Sequence, residues 1–299
     1  MKTLIIKLGA TGDVLRTTTL LHILKGDIYW ITENRNMSLL RNLKAVKQCI
    51  PWSQRGKIAG MEFDLVINLE DSPDTSKFLR SIHYRNLFGA YLNGNSQLVY
   101  TKNASQWFDI SIISKYGKDR ADELKLLNRR TYQDLIFEGL GHKFRGEAYM
   151  LPRTLQSDLS GDVAIAPKSG NVWPMKNWAY FDELAEQLVK NGYRVNFLPM
   201  RESLLDHIAD VRAHSYLISG DSLPMHIALG SGIKCLTIFI CTSPWEIYDY
   251  GLQKKIVSPK LEEYFYRRDV NPKAVQSVSL NEVYDAVVSH IHEGYLKTD

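Results

Sequence analysis

Short apolar runs recur along the chain, and most are followed by a stretch whose apolar positions return every three or four residues. The first run, TLIIKL (3–8), predicts a strand; Val14, Leu15, Thr18, Leu21 and Leu24 then fall at helical spacing and predict a helix over 14–25. DIYWIT (27–32) predicts a second strand, SLLRNLKAV (38–46) a helix, and FDLVINL (63–69) a third strand ending at acidic residues. This β-α-β-α-β order is the signature of a parallel sheet covered by helices. From 89 to 149 the pattern is more polar and less regular. One helix stands out there, in RRTYQDLIFEGLGHK (129–143), with Gly139 and Gly141 at its C-terminal end.

MLPRTLQSDLSGD (150–162) has little periodicity and reads as a linker. Alternation restarts with VAIAP (163–167), a helix over 180–191, YRVNFLP (193–199) and a helix over 204–212. SYLISGD (215–221), a helix over 225–230 and KCLTIFI (234–240) follow. A last helix over 281–292 is able to pack on either half, the N-terminal domain included. The expectation is two α/β, Rossmann-like domains, 1–155 and 156–299, with parallel sheets facing a central cleft and ligands at the carboxyl ends of the strands.

Composition narrows the picture modestly. The 299 residues are 44% hydrophobic and 23% charged, ordinary for a soluble globular protein. Thirty-seven Lys and Arg against 33 Asp and Glu give +4, a balance that suits an anionic ligand or loose contact with an acidic membrane surface. The basic residues are too scattered to indicate nucleic-acid binding. No apolar run approaches the ~18–20 residues of a membrane span, and Lys7 interrupts the N-terminal run before it resembles a secretion signal. Three cysteines, Cys49, Cys235 and Cys241, form no C-x-x-C pair and fit a reducing compartment as small buried hydrophobes.

Three stretches carry candidate chemistry. In KLGATGDVL, strand, glycine turn and helix start expose backbone N–H groups, yet the glycines fit neither a dinucleotide nor a triphosphate fingerprint. Asp13 there fits two roles, a helix N-cap or a carboxylate at the strand end that takes a proton from an attacking hydroxyl. In SGDSLPMHIALGSG, Asp221, Ser222 and Pro224 open a helix carrying His226; amides and the Ser222 hydroxyl suit a diphosphate, while helix capping and a buried histidine are the plainer alternative. In APKSGNVWPMKNWAYF, Lys168 and Lys176 lie on a strand-end loop where a cation would meet a leaving diphosphate, or would simply be solvated. Glu70, Asp71 and Asp74 end the third strand without a D-x-D pair, so no metal is expected there. His290 and His292 are two apart on a helix and face different ways. YFYRRD (264–269) suits a packing strip more than a sugar or lipid contact.

Together, IIKLGATGDVLRTTTLL, VWPMKNWAYFDELAEQL and ISGDSLPMHIALGSGIKCLTIF…TSPWEIYDYG resemble glycosyltransferase family 9, the ADP-heptose heptosyltransferases and their relatives. The resemblance implies a GT-B fold, with the acceptor on the first domain and the nucleotide sugar on the second. It implies inverting, metal-independent transfer of a heptose-type sugar, ADP-heptose being the implied donor, with no cofactor. Asp13 matches the family's proposed base and Lys176 the lysine that reaches the donor diphosphate. Asp221, Ser222, Pro224, Met225 and His226 match the donor loop. Lys7, Gly9, Gly12 and Lys168 are further cleft candidates. A glycan, lipid-linked, protein or small-molecule acceptor and a bacterial cytoplasmic setting, at most peripheral at the inner membrane, are also implied. Leu223 stands where the family has glycine, Cys241 and Thr242 replace its Gly-Pro turn, and Ala179 replaces a proline. These departures bear on donor identity, and leave another nucleotide sugar as an alternative; a non-catalytic nucleotide-sugar-binding subunit is a second one, against which the presence of both Asp13 and Lys176 speaks.

Overall fold

The computed structural model describes residues 1–293. The chain divides into two compact units after Pro152, close to the boundary at 155 expected from sequence. The first unit holds six strands: β1 (Lys2–Ile6), β2 (Asp27–Thr32), β3 (Gln48–Pro51), β4 (Glu62–Asn68), β5 (His83–Leu92) and β6 (Leu98–Tyr100). Their order in the sheet is β3-β2-β1-β4-β5-β6, parallel throughout except for β6. The second unit holds β7 (Gly161–Ala166), β8 (Val195–Phe197), β9 (His214–Gly220), β10 (Lys234–Phe239) and β11 (Gln253–Val257), all parallel, in the order β11-β10-β9-β7-β8. Each sheet therefore has one point where strand order reverses, between β1 and β4 in the first and between β7 and β9 in the second. Loops leaving the strands on either side of such a point diverge and leave a crevice.

The strands form where unbroken apolar runs allow burial on both faces. In β1, Leu4, Ile5 and Ile6 are all fully buried, as parallel strands between two helical layers require. One face of the first sheet packs Leu4, Ile6, Ile31, Phe63, Val66 and Phe78 together. In the second unit, the helix Phe181–Lys190 buries Phe181, Leu184, Ala185 and Leu188, an i, i+3, i+4, i+7 stripe. That stripe meets Val163 and Ile165 of β7 and Val283 and Val287 of the last helix, Leu280–His292. The last helix thus packs on the second unit's own sheet.

Several elements differ from the sequence pattern. The first helix begins at Thr11, three residues before the expected start, and tightens into a 3-10 turn over Thr18–His22. The hydroxyls of Thr17, Thr18 and Thr19 bond back to the carbonyls of Asp13, Leu15 and Arg16, the local competition that weakens threonine-rich helices. The expected helix over 38–46 is reduced to Met37–Leu40. The strands β3, β5, β6 and β11 and the helix Lys118–Leu127 lie in stretches whose polarity masked them. The helix Tyr132–Gly139 is opened by a Thr131–Asp134 capping box. It is closed by Gly141 at φ +80°, where the amides of Gly141 and His142 bond to the Glu138 and Phe137 carbonyls. No described helix is long and apolar enough to cross a membrane.

Leu188 is fully buried between the second sheet and the last helix. Leu188→Ala is expected to lower the second unit's stability by about 2–5 kcal/mol, read as an earlier urea transition.

Candidate functional site

In the first unit, the chain leaves β1 at the point of strand reversal, and its neighbour β4 ends beside it. Glu70, two residues beyond β4, accepts hydrogen bonds from the Lys7 ammonium at 2.9 Å and from the Leu8 amide at 2.8 Å. The Lys7 Nζ also stands 3.9 Å from Asp13, whose other oxygen pairs with Arg16 at 2.9 Å. Burial penalises the Lys7 charge, but the Asp13 and Glu70 carboxylates outweigh that and hold its pKa above the ordinary lysine value. Arg16 lies over the Tyr132 ring, 4.0 Å from its centroid, and the Tyr132 hydroxyl meets Thr17 Oγ1 at 2.6 Å. Burial pushes the Tyr132 phenol up to about 12.

The glycine turn between strand and helix is held from below by Asn36. Its side chain donates to the Leu8 carbonyl at 2.6 Å and accepts from the Thr11 hydroxyl at 2.7 Å, fully buried. A Cβ on Gly9 would meet only the tip of the Arg35 side chain, and Gly12 is the second residue of the helix. Ala10 occupies the N-cap position and Asp13 the third helical position, so the N-cap role considered for Asp13 is not the one it has. Its side chain is 35% exposed, whereas those of Lys7, Arg16 and Glu70 are 14% exposed or less. Asp13 is therefore the member of this four-charge cluster that reaches solvent.

In the second unit, the corresponding crossing lies between β7 and β9. Lys176, on the loop after β7, pairs with Asp221, just after β9, at 2.9 Å, each side chain 14% exposed. The loop after β10 adds Thr242, whose hydroxyl donates to the same Asp221 oxygen at 2.7 Å. Burial alone would raise the Asp221 pKa from 3.8. The Lys176 and His226 charges and the Lys176 and Thr242 hydrogen bonds outweigh it, holding the carboxyl down to about 2.

The Lys176 loop is fixed by its neighbours. Met175 is fully buried in the core, Trp178 donates its indole N–H to the Val278 carbonyl at 2.9 Å, and Ser169 bonds Asn177. Gly220 permits the close approach: a Cβ there would lie 2.5 Å from the Lys176 carbonyl oxygen. Trp173 of this loop packs edge-on to Tyr266, with Arg268 over its indole, which gives YFYRRD its packing role.

The helix Leu223–Gly230 starts directly after this pair, with Ser222 at the N-cap position and Pro224 in its first turn. Ser222 directs its hydroxyl to the Gly220 carbonyl instead of capping the helix. First-turn amides and the positive end of the helix dipole thus lie beside the Lys176 ammonium, a set able to hold an anion. Pro224, Met225 and His226 are buried.

Lys168 is exposed and joins none of the ion pairs among the described residues. Glu70 serves Lys7, Asp71 is half-buried with its pKa raised by burial and then by Glu70, and Asp74 is exposed at a helix start. Among the described residues no group of three or more His, Cys, Asp or Glu is placed to hold a metal ion. Cys235 and Cys241 are fully buried, and burial raises their thiols to about 12 and about 11. Sequence reasoning missed Arg16, Asn36, Tyr132 and the contact of Thr242 with Asp221. Arg16 had a legible signal, its i,i+3 spacing from Asp13.

No protein-family model matches this sequence, and no curated protein matches it. Solved structures do match. The glycosyl transferase family 9 structure from Veillonella parvula aligns over 98% of this chain and 97% of its own, at 16% identity and TM-score 0.69. E. coli heptosyltransferase WaaC with ADP aligns over 97% of this chain and 100% of its own, at 15% identity and TM-score 0.64. E. coli ADP-heptose lps heptosyltransferase II aligns over 99% and 100%, at 15% identity and TM-score 0.64. The chain has the fold of these proteins, two parallel-sheet α/β domains, as the sequence pattern implied.

Removing one partner of a buried ion pair costs about 3–5 kcal/mol. The Asp221 pKa is depressed, so its stabilisation is fully present above the unfolded value of 3.8 and is lost as pH falls through about 2. In urea titrations across the acid range, the stability gap between the parent and Asp221→Asn is expected to hold above pH 3.8 and narrow toward pH 2.

Proposed function

We propose that this protein is a glycosyltransferase that moves a heptose-type sugar, with ADP-heptose as donor, to a hydroxyl of an acceptor. The transfer is inverting and needs no metal. The observation that carries the reading is the desolvated Lys176–Asp221–Thr242 cluster at a helix N-terminus, in a chain with the fold of nucleotide-sugar enzymes. The second domain (156–299) takes the donor: helix amides and Lys176 face its diphosphate, the Ser222 hydroxyl turns from the Gly220 carbonyl to join them, and Pro224, Met225 and His226 shape the turn. The first domain (1–155) takes the acceptor, with Gly9 and Gly12 leaving room beside Asp13. The acceptor is a glycan, lipid-linked, protein or small-molecule hydroxyl compound, and the enzyme works in the cytoplasm with at most peripheral contact with the inner membrane.

In the reaction, the acceptor oxygen forms a bond to the anomeric carbon from the face opposite the diphosphate. The bond between that carbon and the diphosphate oxygen breaks, and its electron pair leaves with the nucleoside diphosphate. Asp13 takes the hydroxyl proton as the new bond forms. Lys176 and the helix N-terminus meet the negative charge that grows on the leaving group, the work a divalent ion does elsewhere. ADP and ADP-heptose bound in solved structures of this fold support the donor assignment.

A second reading, transfer from another nucleotide sugar, is favoured by Leu223 and Thr242 in the donor turn, where the resembled family has glycine and a Gly-Pro turn. Thermal shift separates the two: ADP is expected to stabilise the protein more than UDP, and the reverse order supports the second reading.

Asp13→Ala is expected to lower kcat for transfer of labelled sugar by about 10²–10⁴-fold while ADP still raises the melting temperature. Full activity in this variant rejects Asp13 as the base. Turnover is expected to persist in excess EDTA; strict dependence on Mg²⁺ or Mn²⁺ rejects the metal-independent mechanism.

A further inference from the structure

We propose that Glu70 is a positioning residue that keeps Asp13 basic by drawing the Lys7 ammonium to itself. The inference rests on the reading of Asp13 as the base and concerns a residue that the sequence pattern offered only as a metal candidate. One buried ammonium stands between two carboxylates at unequal distance. Glu70 takes it in a direct hydrogen bond at 2.9 Å, while Asp13 is left with a 3.9 Å contact. The Leu8 amide, bonded to the same Glu70 oxygen at 2.8 Å, fixes the carboxylate in that position.

The arrangement has a consequence for proton transfer. A carboxylate tightly paired with a lysine is a poor proton acceptor, because protonation must break a favourable contact. Arg16 already holds one oxygen of Asp13, at 2.9 Å, and orients the carboxylate. Glu70 keeps the other oxygen from acquiring a second close cation and adds a negative charge behind the lysine. Other charged or titratable groups near the cluster include Asp71, next to Glu70 beyond the end of β4 and itself acted on by Lys125, Tyr132 against Arg16, and Arg35, whose guanidinium lies beside Gly9. Arg16 is itself stacked on the Tyr132 ring, which holds it in this place.

The test is Glu70→Gln in the full-length protein, since glutamine keeps the shape and both hydrogen-bond acceptances and removes only the charge. With sugar transfer as readout, kcat is expected to fall about ten-fold with KM nearly unchanged, and the acid limb of the kcat profile to move to lower pH. Lys7→Met is the companion variant, expected to move the same limb to higher pH. Neither variant should alter the thermal shift produced by ADP. A Glu70→Gln profile that overlays the parent, in a protein where Asp13→Ala is inactive, overturns the role of Glu70 alone. Full activity of Asp13→Ala overturns the reading on which it rests. Should Glu70→Gln fail to fold, Glu70→Asp, whose shorter side chain loosens the contact with Lys7, takes its place: an unmoved acid limb rejects the inference.

Discussion

Parallel pairing of strands is the constraint from which both candidate sites follow. A parallel sheet brings the carboxyl end of every strand to one edge, and the residues just beyond those ends meet wherever strand order reverses. Both units use that meeting place alike. A lysine on the loop after the unit's first strand pairs at 2.9 Å with a carboxylate just beyond the adjacent strand across the reversal. Lys7 meets Glu70 across β1 and β4, and Lys176 meets Asp221 across β7 and β9. Buried pairs of this kind add little net stability compared with apolar packing, because desolvation offsets attraction. Their value lies in holding charge at a defined place.

The two pairs differ in what surrounds them. In the first unit, the pair sits behind a third charge, Asp13, which is the more exposed and is oriented by Arg16. In the second, the carboxylate is enclosed by Lys176, Thr242 and His226 and its proton affinity is strongly depressed. Asp221 therefore stays ionised and serves as a strut for Lys176, while Asp13 is the carboxylate that reaches solvent. The same strand-end geometry yields a partly exposed carboxylate in one unit and a fixed ammonium close to the start of a helix in the other.

Precision in both places depends on backbone contacts that carry no charge. Asn36 ties the turn after β1 to the helix start through Leu8 and Thr11. Gly220 lets the Lys176 loop lie directly on the end of β9, and Met175 and Trp178 anchor that loop in the core. Side chains held this way lose little freedom on meeting a ligand, which is the advantage of building a site on rigid elements.

The alternation of central strands with helices, the division into two α/β domains and the position of Asp13, Lys176 and Asp221 beyond strand ends were legible in the sequence. Runs such as TLIIKL and KCLTIFI are apolar on both faces, and only parallel strands between helical layers bury both. Edge strands β3, β6 and β11 escaped because an edge strand is half solvated and its pattern resembles a loop. The roles of Glu70, Asn36, Tyr132 and Thr242 were illegible for a different reason. Each acts on a residue at least twenty positions away in the chain, and no local pattern encodes which strand ends become neighbours. The sequence by itself determined the central apolar strands and where charge follows them. Tertiary structure decided which charges meet, because strand order is set by packing of whole layers and not by any one segment's preference.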